Sequence, residues 1–528
     1  MPEGGGPAGV TSNRLMSPRA ILSVGNNVIG AILSTTALVF IAKNMGASVM
    51  GILGYSLAYV GILSFLSDFG AGSVHKMQIK SGEDLGKCVG AYAAIRLVLL
   101  ALFFVVAFVM IELWQRSQLG GGTLHEGDQM IQSLHVFLIY YVLLGVSQIA
   151  SHTFDAVDAV AGLYVPSILE LVVRVSFITY VATTAAAHGP LAAPLLASSY
   201  VVGIIAATLL LALMMLRVKV SIPDRAILVK YIRSLAPVFL VTMIIVVDLY
   251  LDKAVVGYFW GVTEVGLYFG VQRMAIFVSV FALAVGTLIL PSVMTYFSRN
   301  DVAASWDIVN QAERYVSLIV IPIAAFYLTW GSQLLTIFLT SEFAGQVEVM
   351  DLIVIGSTLL ALVLPLRSAI AGAGSTRTLF WVGAGGLVLQ VALMLVLVPE
   401  ELFGFPMFGM KAFGAALALL ITSIYAFFIL QYMTWRKANI VSYSRSFKHL
   451  MSAVVMVGAM YVVAWLFFKT FDWVALVVVA IIGALSYGLT AYGLGELELS
   501  DYRYFKSLLN PQGAFQYVVN EMLGRRSQ

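Results

Sequence analysis

What most constrains this chain is a succession of uninterrupted apolar stretches, each about the 20 residues that an α-helix needs to cross the hydrocarbon core of a bilayer. They fall near 21–42, 49–69, 91–114, 131–150, 165–187 and 191–216, then near 236–258, 265–290, 315–339, 349–371, 379–398, 414–433, 451–468 and 474–494. None alternates apolar and polar residues over about ten positions, as a membrane barrel strand does. In lipid every backbone N–H and C=O must be satisfied inside the protein, which leaves helices for segments of this length. The sequence therefore predicts an all-α polytopic membrane protein with about 14 transmembrane helices.

Composition narrows the function classes. Hydrophobic residues make up 60% of the 528 positions and charged residues only 11%, against about 25% charged in a soluble domain. A soluble enzyme and a nucleic-acid-binding protein are excluded. Cys88 is the one cysteine, so no internal disulfide and no CxxC metal site is expected. No GxxxxGK[ST] loop occurs, so the chain carries no ATPase of its own, and neither cofactor nor metal is expected. The first apolar run is too long, and lacks the small-residue cleavage site, for a removable signal peptide. Residues 1–17, rich in Gly, read as a disordered tail, and 497–528 as an interfacial tail broken at Pro511.

Orientation follows from Lys and Arg in the short connections. With the N-terminus inside, 21 of the 30 basic residues fall in inner segments, 5 in outer segments and 4 within helices. This places both termini in the cytoplasm and the chain in the plasma membrane. His75 and Lys76, just past the second run, are expected at the headgroup level, where they would meet anionic lipid.

The halves are related. Gly46-Ala-Ser-Val-Met-Gly51 opens the second run and Gly261-Val-Thr-Glu-Val-Gly266 the eighth, so that 261 − 46 and 266 − 51 are both 215. At that offset the first six helices fall on helices seven to twelve, a parallel repeat about an axis along the membrane normal. The expected organisation is a first lobe over 18–217, a second over 218–435 and a terminal helix pair over 436–496.

The stretch Lys76-Met-Gln-Ile-Lys80-Ser-Gly-Glu83-Asp84, preceded by Leu66-Ser-Asp68-Phe-Gly70, resembles the second-to-third helix region of polysaccharide flippases. So does Asp252-Lys-Ala-Val-Val-Gly257 with Glu264-Val-Gly266-Leu-Tyr268, and Leu290-Pro291 followed by Tyr296 fits the same pattern. These are the Wzx-type members of the multidrug/oligosaccharidyl-lipid/polysaccharide exporter superfamily. The resemblance implies a transporter that moves a lipid-linked oligosaccharide between leaflets by alternating access of two lobes. Its expected partners are that substrate, membrane lipids and glycan-assembly enzymes, and the chain itself is expected to be a monomer.

Ionisable groups inside the membrane carry the chemical signal, since each costs at least about 2.5–3.5 kcal/mol at the bilayer centre and faces a protein interior or a wet cavity. Arg96, Arg174, Arg273 and Arg367 lie within helices at different depths, as a stepwise path for an anionic headgroup would need. Arg174 follows Glu170 by four residues, the favourable order for a helical ion pair. Arg273 follows Gln272, a second candidate substrate contact, and has no acid within a turn, so its guanidinium is free for a phosphate fork or for Asp248 or Asp252 on the preceding helix. Those two acids are the candidates for proton or sodium coupling, and Asp252 with Lys253 also reads as a mark of the outer water interface. Asn26 and Asn27 on the first helix can line a polar lumen for sugar hydroxyls or bond to neighbouring helices. Asp68 reads as ordering the turn at Gly70.

A peptidoglycan-precursor flippase would show nearly the same sequence features, and two alternatives of other classes stand beside this reading. A small-molecule cation exporter of the same superfamily would favour acids and aromatics over arginines in its cavity. A membrane glycosyltransferase or polymerase would need a substantial outer loop bearing catalytic groups. The longest, 115–130, offers only Arg116, His125, Glu126 and Asp128.

Overall fold

A computed structural model of the chain describes residues 18–117, 124–184, 189–275, 277–280, 302–438 and 446–497. The first half holds α1 (Pro18–Ile62), α2 (Phe65–Asp68), α3 (Ala71–Lys80), α4 (Leu85–Ser117), α5 (Leu124–Ala156), α6 (Val160–Thr183) and α7 (Ala192–Met215). The second holds α8 (Arg225–Trp260), α9 (Val262–Met274), α10 (Val302–Leu334), α11 (Val347–Leu362), α12 (Leu364–Gly372), α13 (Thr376–Leu397) and α14 (Lys411–Ala438). The terminal pair is α15 (Ser446–Phe467) and α16 (Trp473–Gly493). A two-residue-per-strand hairpin, β1 (Glu401–Leu402) with β2 (Phe405–Pro406), tips the connection between α13 and α14.

Twelve stretches of described helix are long and apolar enough to cross a membrane. The first of them, Gly25–Lys80, holds two of the runs expected from the sequence, because α1 breaks at Gly46. The eighth expected run is described only as far as residue 280. Pro291, Tyr296 and the two terminal tails lie outside the described residues.

The repeat is written into the backbone. Gly46 breaks α1 at φ 77°, ψ −178°, and Gly261 separates α8 from α9 at φ 81°, ψ −177°. Only glycine adopts such a conformation without strain. The two helices that follow these breaks pack together. A Cβ added at Gly51 would collide with the carbonyl oxygen of Val262, and one added at Gly266 with that of Ala47. Residues 47 and 262 are again 215 apart, so the contact has local two-fold symmetry. Small residues that let backbones touch are a common adhesive between membrane helices, where water supplies no driving force.

The start of α8 is tied to the first lobe. Lys230 reaches Glu83 at 2.5 Å, Lys87 reaches Asp224 at 2.7 Å, and Tyr231 shares a 3.0 Å hydrogen bond with His75. His75 is therefore not at a lipid headgroup. It is fully buried, stacked on Tyr92 and bonded through its other nitrogen to Thr153. A neutral imidazole with both nitrogens satisfied suits an interior position. Lys76 pairs with Asp155 at 2.9 Å. The terminal helices dock on α10, where buried Glu496 meets Lys448 at 3.0 Å and the Arg314 guanidinium donates to the Glu496 carbonyl at 2.7 Å.

Candidate functional site

The charged groups inside the helices sort into those consumed by the protein and those left open. Arg96 is consumed. It is 1% exposed, and its guanidinium donates to Asp68 at 2.5 Å, to the Gly145 carbonyl at 3.3 Å and to Gln148. Asp68 also accepts from the Gly72 amide at 3.2 Å, so it orders the turn as expected and anchors Arg96 as well. The expected place of Arg96 on an anionic path is not what the geometry shows, because every face of the fork already holds a partner.

Asp252 is likewise buried, not at a water interface. Its carboxylate takes the Lys253 ammonium at 2.7 Å, the Gln272 amide at 2.6 Å and the Tyr268 hydroxyl at 3.1 Å. Lys253 closes the ring by donating to the Gln272 carbonyl at 2.9 Å. A buried charge persists only when paired and hydrogen-bonded in this way. Asp252 and Gln272 thus brace α8 against α9, where the sequence had suggested ion coupling for one and substrate contact for the other.

Arg174 and Arg273 are placed differently. Arg174 pairs with Glu170 at 3.2 Å, as the spacing predicts, and lies 4.6 Å over the ring of Tyr200. Tyr200 begins a chain of tyrosines. Its ring centroid is 5.4 Å from that of Tyr140, Tyr140 is 5.1 Å from Tyr141, and the Tyr141 hydroxyl meets that of Tyr250 at 2.9 Å. Tyr250 belongs to α8 and lies in the field of Arg273. The chain of rings therefore runs from an arginine of the first lobe to the first helix of the second. Arg273 stacks at 5.1 Å on Phe269 and makes no ion pair or hydrogen bond among the described residues, with Asp248 and Asp252 included. Asn26 and Asn27 are half-buried on α1, again without a described hydrogen-bond partner. The tyrosine chain was missed in the sequence. The Tyr140-Tyr141 doublet inside an apolar run was the available signal.

Three openings surround these groups. One of about 340 Å³ lies between the first lobe and α8 and is lined by Asp68, Gln148, His152, Tyr141 and Tyr250. A second, of about 500 Å³, lies on the opposite flank of α8, with Asp248, Arg367, Gln390, Thr422 and Ser423 on its wall. Ile245 of α8 borders both. The third is an apolar groove of about 360 Å³ lined by Ile32, Thr35, Phe277, Phe326 and Leu476, where α1 and α10 meet the terminal pair. No group of three His, Cys, Asp or Glu side chains suited to a metal occurs among the described residues.

Comparison with known proteins places this architecture. Over the whole fold the chain is similar to lipid II flippase MurJ in its inward closed conformation, with a TM-score of 0.69, 15% identity and coverage of 89% of this chain and 98% of that one. It is similar to an inward-facing multidrug resistance MATE family transporter of the MOP superfamily, with a TM-score of 0.62, 13% identity and coverage of 80% and 99%. A MOP superfamily transporter from Pyrococcus furiosus, described as having a binding pocket of reversed polarity, aligns with a TM-score of 0.52, 16% identity and coverage of 81% and 99%. These TM-scores establish a shared fold. A search of curated protein sequences gives no match. The profile of one family, described as Polysaccharide biosynthesis protein, matches residues 19–296, more than half of the chain. The chain belongs to that polysaccharide biosynthesis family and carries the fold of the MOP-superfamily transporters.

Proposed function

We propose that this protein flips a lipid-linked oligosaccharide across the plasma membrane, its two lobes opening alternately to either side. The observation that carries the reading is the position of Arg273. It is a guanidinium inside a membrane helix that no described acid neutralises, and a line of tyrosines runs from Arg174 of the first lobe to Tyr250 of α8, the helix that precedes it. A fork of this kind matches the oxygens of a phosphate or pyrophosphate. The tyrosines offer hydroxyls and ring faces to sugars, and Asn26 and Asn27 add amides. The apolar groove suits an isoprenoid chain, which gains about 0.8 kcal/mol for each CH₂ kept from water. Rocking about the Gly51–Gly266 contact would then carry the headgroup while the chain remains in lipid.

The test is headgroup accessibility in proteoliposomes containing an isoprenoid pyrophosphate-linked oligosaccharide. Protein-dependent transfer of the headgroup between leaflets supports the reading. Export of organic cations without movement of that lipid assigns the chain to the drug-exporting branch instead.

A further inference from the structure

The cavity on the second-lobe flank of α8 differs from the one on the first-lobe flank in a way that points to a ligand. Around the first, each charged or amide side chain is already spoken for: Asp68 and Gln148 hold Arg96, Lys76 holds Asp155, and His152 holds the Tyr92 hydroxyl at 2.8 Å. Around the second the reverse holds. Gln390 is 3% exposed and makes no hydrogen bond among the described residues. The Thr422 hydroxyl is buried and also lacks a partner. Asp248 and Arg367 face the same space and feel each other's field, yet neither an ion pair nor a hydrogen bond joins them. Interior amides and hydroxyls are almost always bonded to something. Here donors and acceptors converge on about 500 Å³, within the size range of small-ligand pockets.

We propose that this cavity is a subsite for an acidic sugar residue of the transported glycan. The proposal rests on the flippase reading above and adds a substrate class to it. Ionised, Asp248 accepts hydrogen bonds only and so selects hydroxyl donors. Arg367 donates only, and its planar fork selects a carboxylate. Gln390 and Thr422 can do either and suit the remaining ring hydroxyls. Phe380, Leu387 and Leu419 supply an apolar wall for the ring face. A uronic acid presents hydroxyls on one edge and a carboxylate on the other, the complement of this wall. A free metal cation is disfavoured, because Arg367 already places a fixed positive charge beside the carboxylate it would need.

Equilibrium binding to the detergent-solubilised full chain tests this without requiring transport. The probes are choline glucuronate, glucose and sodium chloride, read by calorimetry and by the unfolding temperature. Choline glucuronate is expected to bind saturably and to raise the unfolding temperature, with glucose weaker. Arg367→Gln should erase the preference for glucuronate over glucose, while Asp248→Asn should weaken both sugars by about tenfold. Thr422→Val, which removes only a hydroxyl, covers the case in which a charge variant fails to fold, and should weaken both sugars several-fold. Protection by sodium chloride with no response to either sugar would make the cavity a cation site and overturn the proposal. So would the absence of saturable binding by any probe. Glucuronate binding without lipid-linked glycan transfer in proteoliposomes would retain the subsite and reject the flippase reading.

Discussion

Gly51 and Gly266 meet backbone to backbone. A side chain on either would strike the carbonyl of the residue that opens the other's helix, Val262 for Gly51 and Ala47 for Gly266. The two lobes thus touch at a point of local symmetry, directly beyond the glycine breaks at 46 and 261.

Enlarging this contact should separate the lobes at that face. Gly51→Val and Gly266→Val are each expected to cost about 1–3 kcal/mol, the usual scale for overpacking a close contact, with Ala at the same positions milder. Thermal unfolding in detergent reads the loss. Cysteine cross-linking across the neighbouring helices should report a wider gap in whatever protein remains folded.

The Asp252 cluster should behave as a brace. Lys253→Met leaves a buried carboxylate without its cation, a change that costs about 3–5 kcal/mol. Adding Asp252→Asn to Lys253→Met should restore much of that stability. Unfolding temperatures of the two single variants and the double variant give the coupling directly.

Arg96→Ala is expected to destabilise on the same scale, because Asp68 and Gln148 lose their shared partner. Protein that does fold should keep its affinity for an anionic headgroup. Comparing substrate affinity with unfolding temperature separates this structural effect from a transport effect.

The sequence made the architecture legible because lipid permits so few solutions. Apolar run length located the crossings, and the paired glycines at an offset of 215 marked the repeat, while the contact they make between lobes appears only in the fold. The local Glu170–Arg174 pair was legible for the same reason: helical spacing alone decides it. Partners on other helices were not. Asp68 with Arg96 and Tyr231 with His75 are 28 and 156 residues apart, and no one-dimensional pattern joins them. Asp252 lies at the end of an apolar run, where hydropathy suggested water. Folding instead supplies it with Lys253, Gln272 and Tyr268. Gln390 and Thr422 gave no signal, since a lone polar residue in a membrane helix more often bonds to a neighbouring helix.

If Arg273 holds the phosphates of the lipid carrier, the initial rate of headgroup transfer in proteoliposomes should differ among wild type, Arg273→Lys and Arg273→Ala. Loss of a charge-assisted hydrogen bond predicts at least about a tenfold slower rate for Arg273→Ala. Arg273→Lys should be intermediate, because a point charge remains without the fork. All three proteins should unfold at nearly the same temperature, since no described ion pair depends on Arg273. A full transfer rate in well-folded Arg273→Ala would contradict the account.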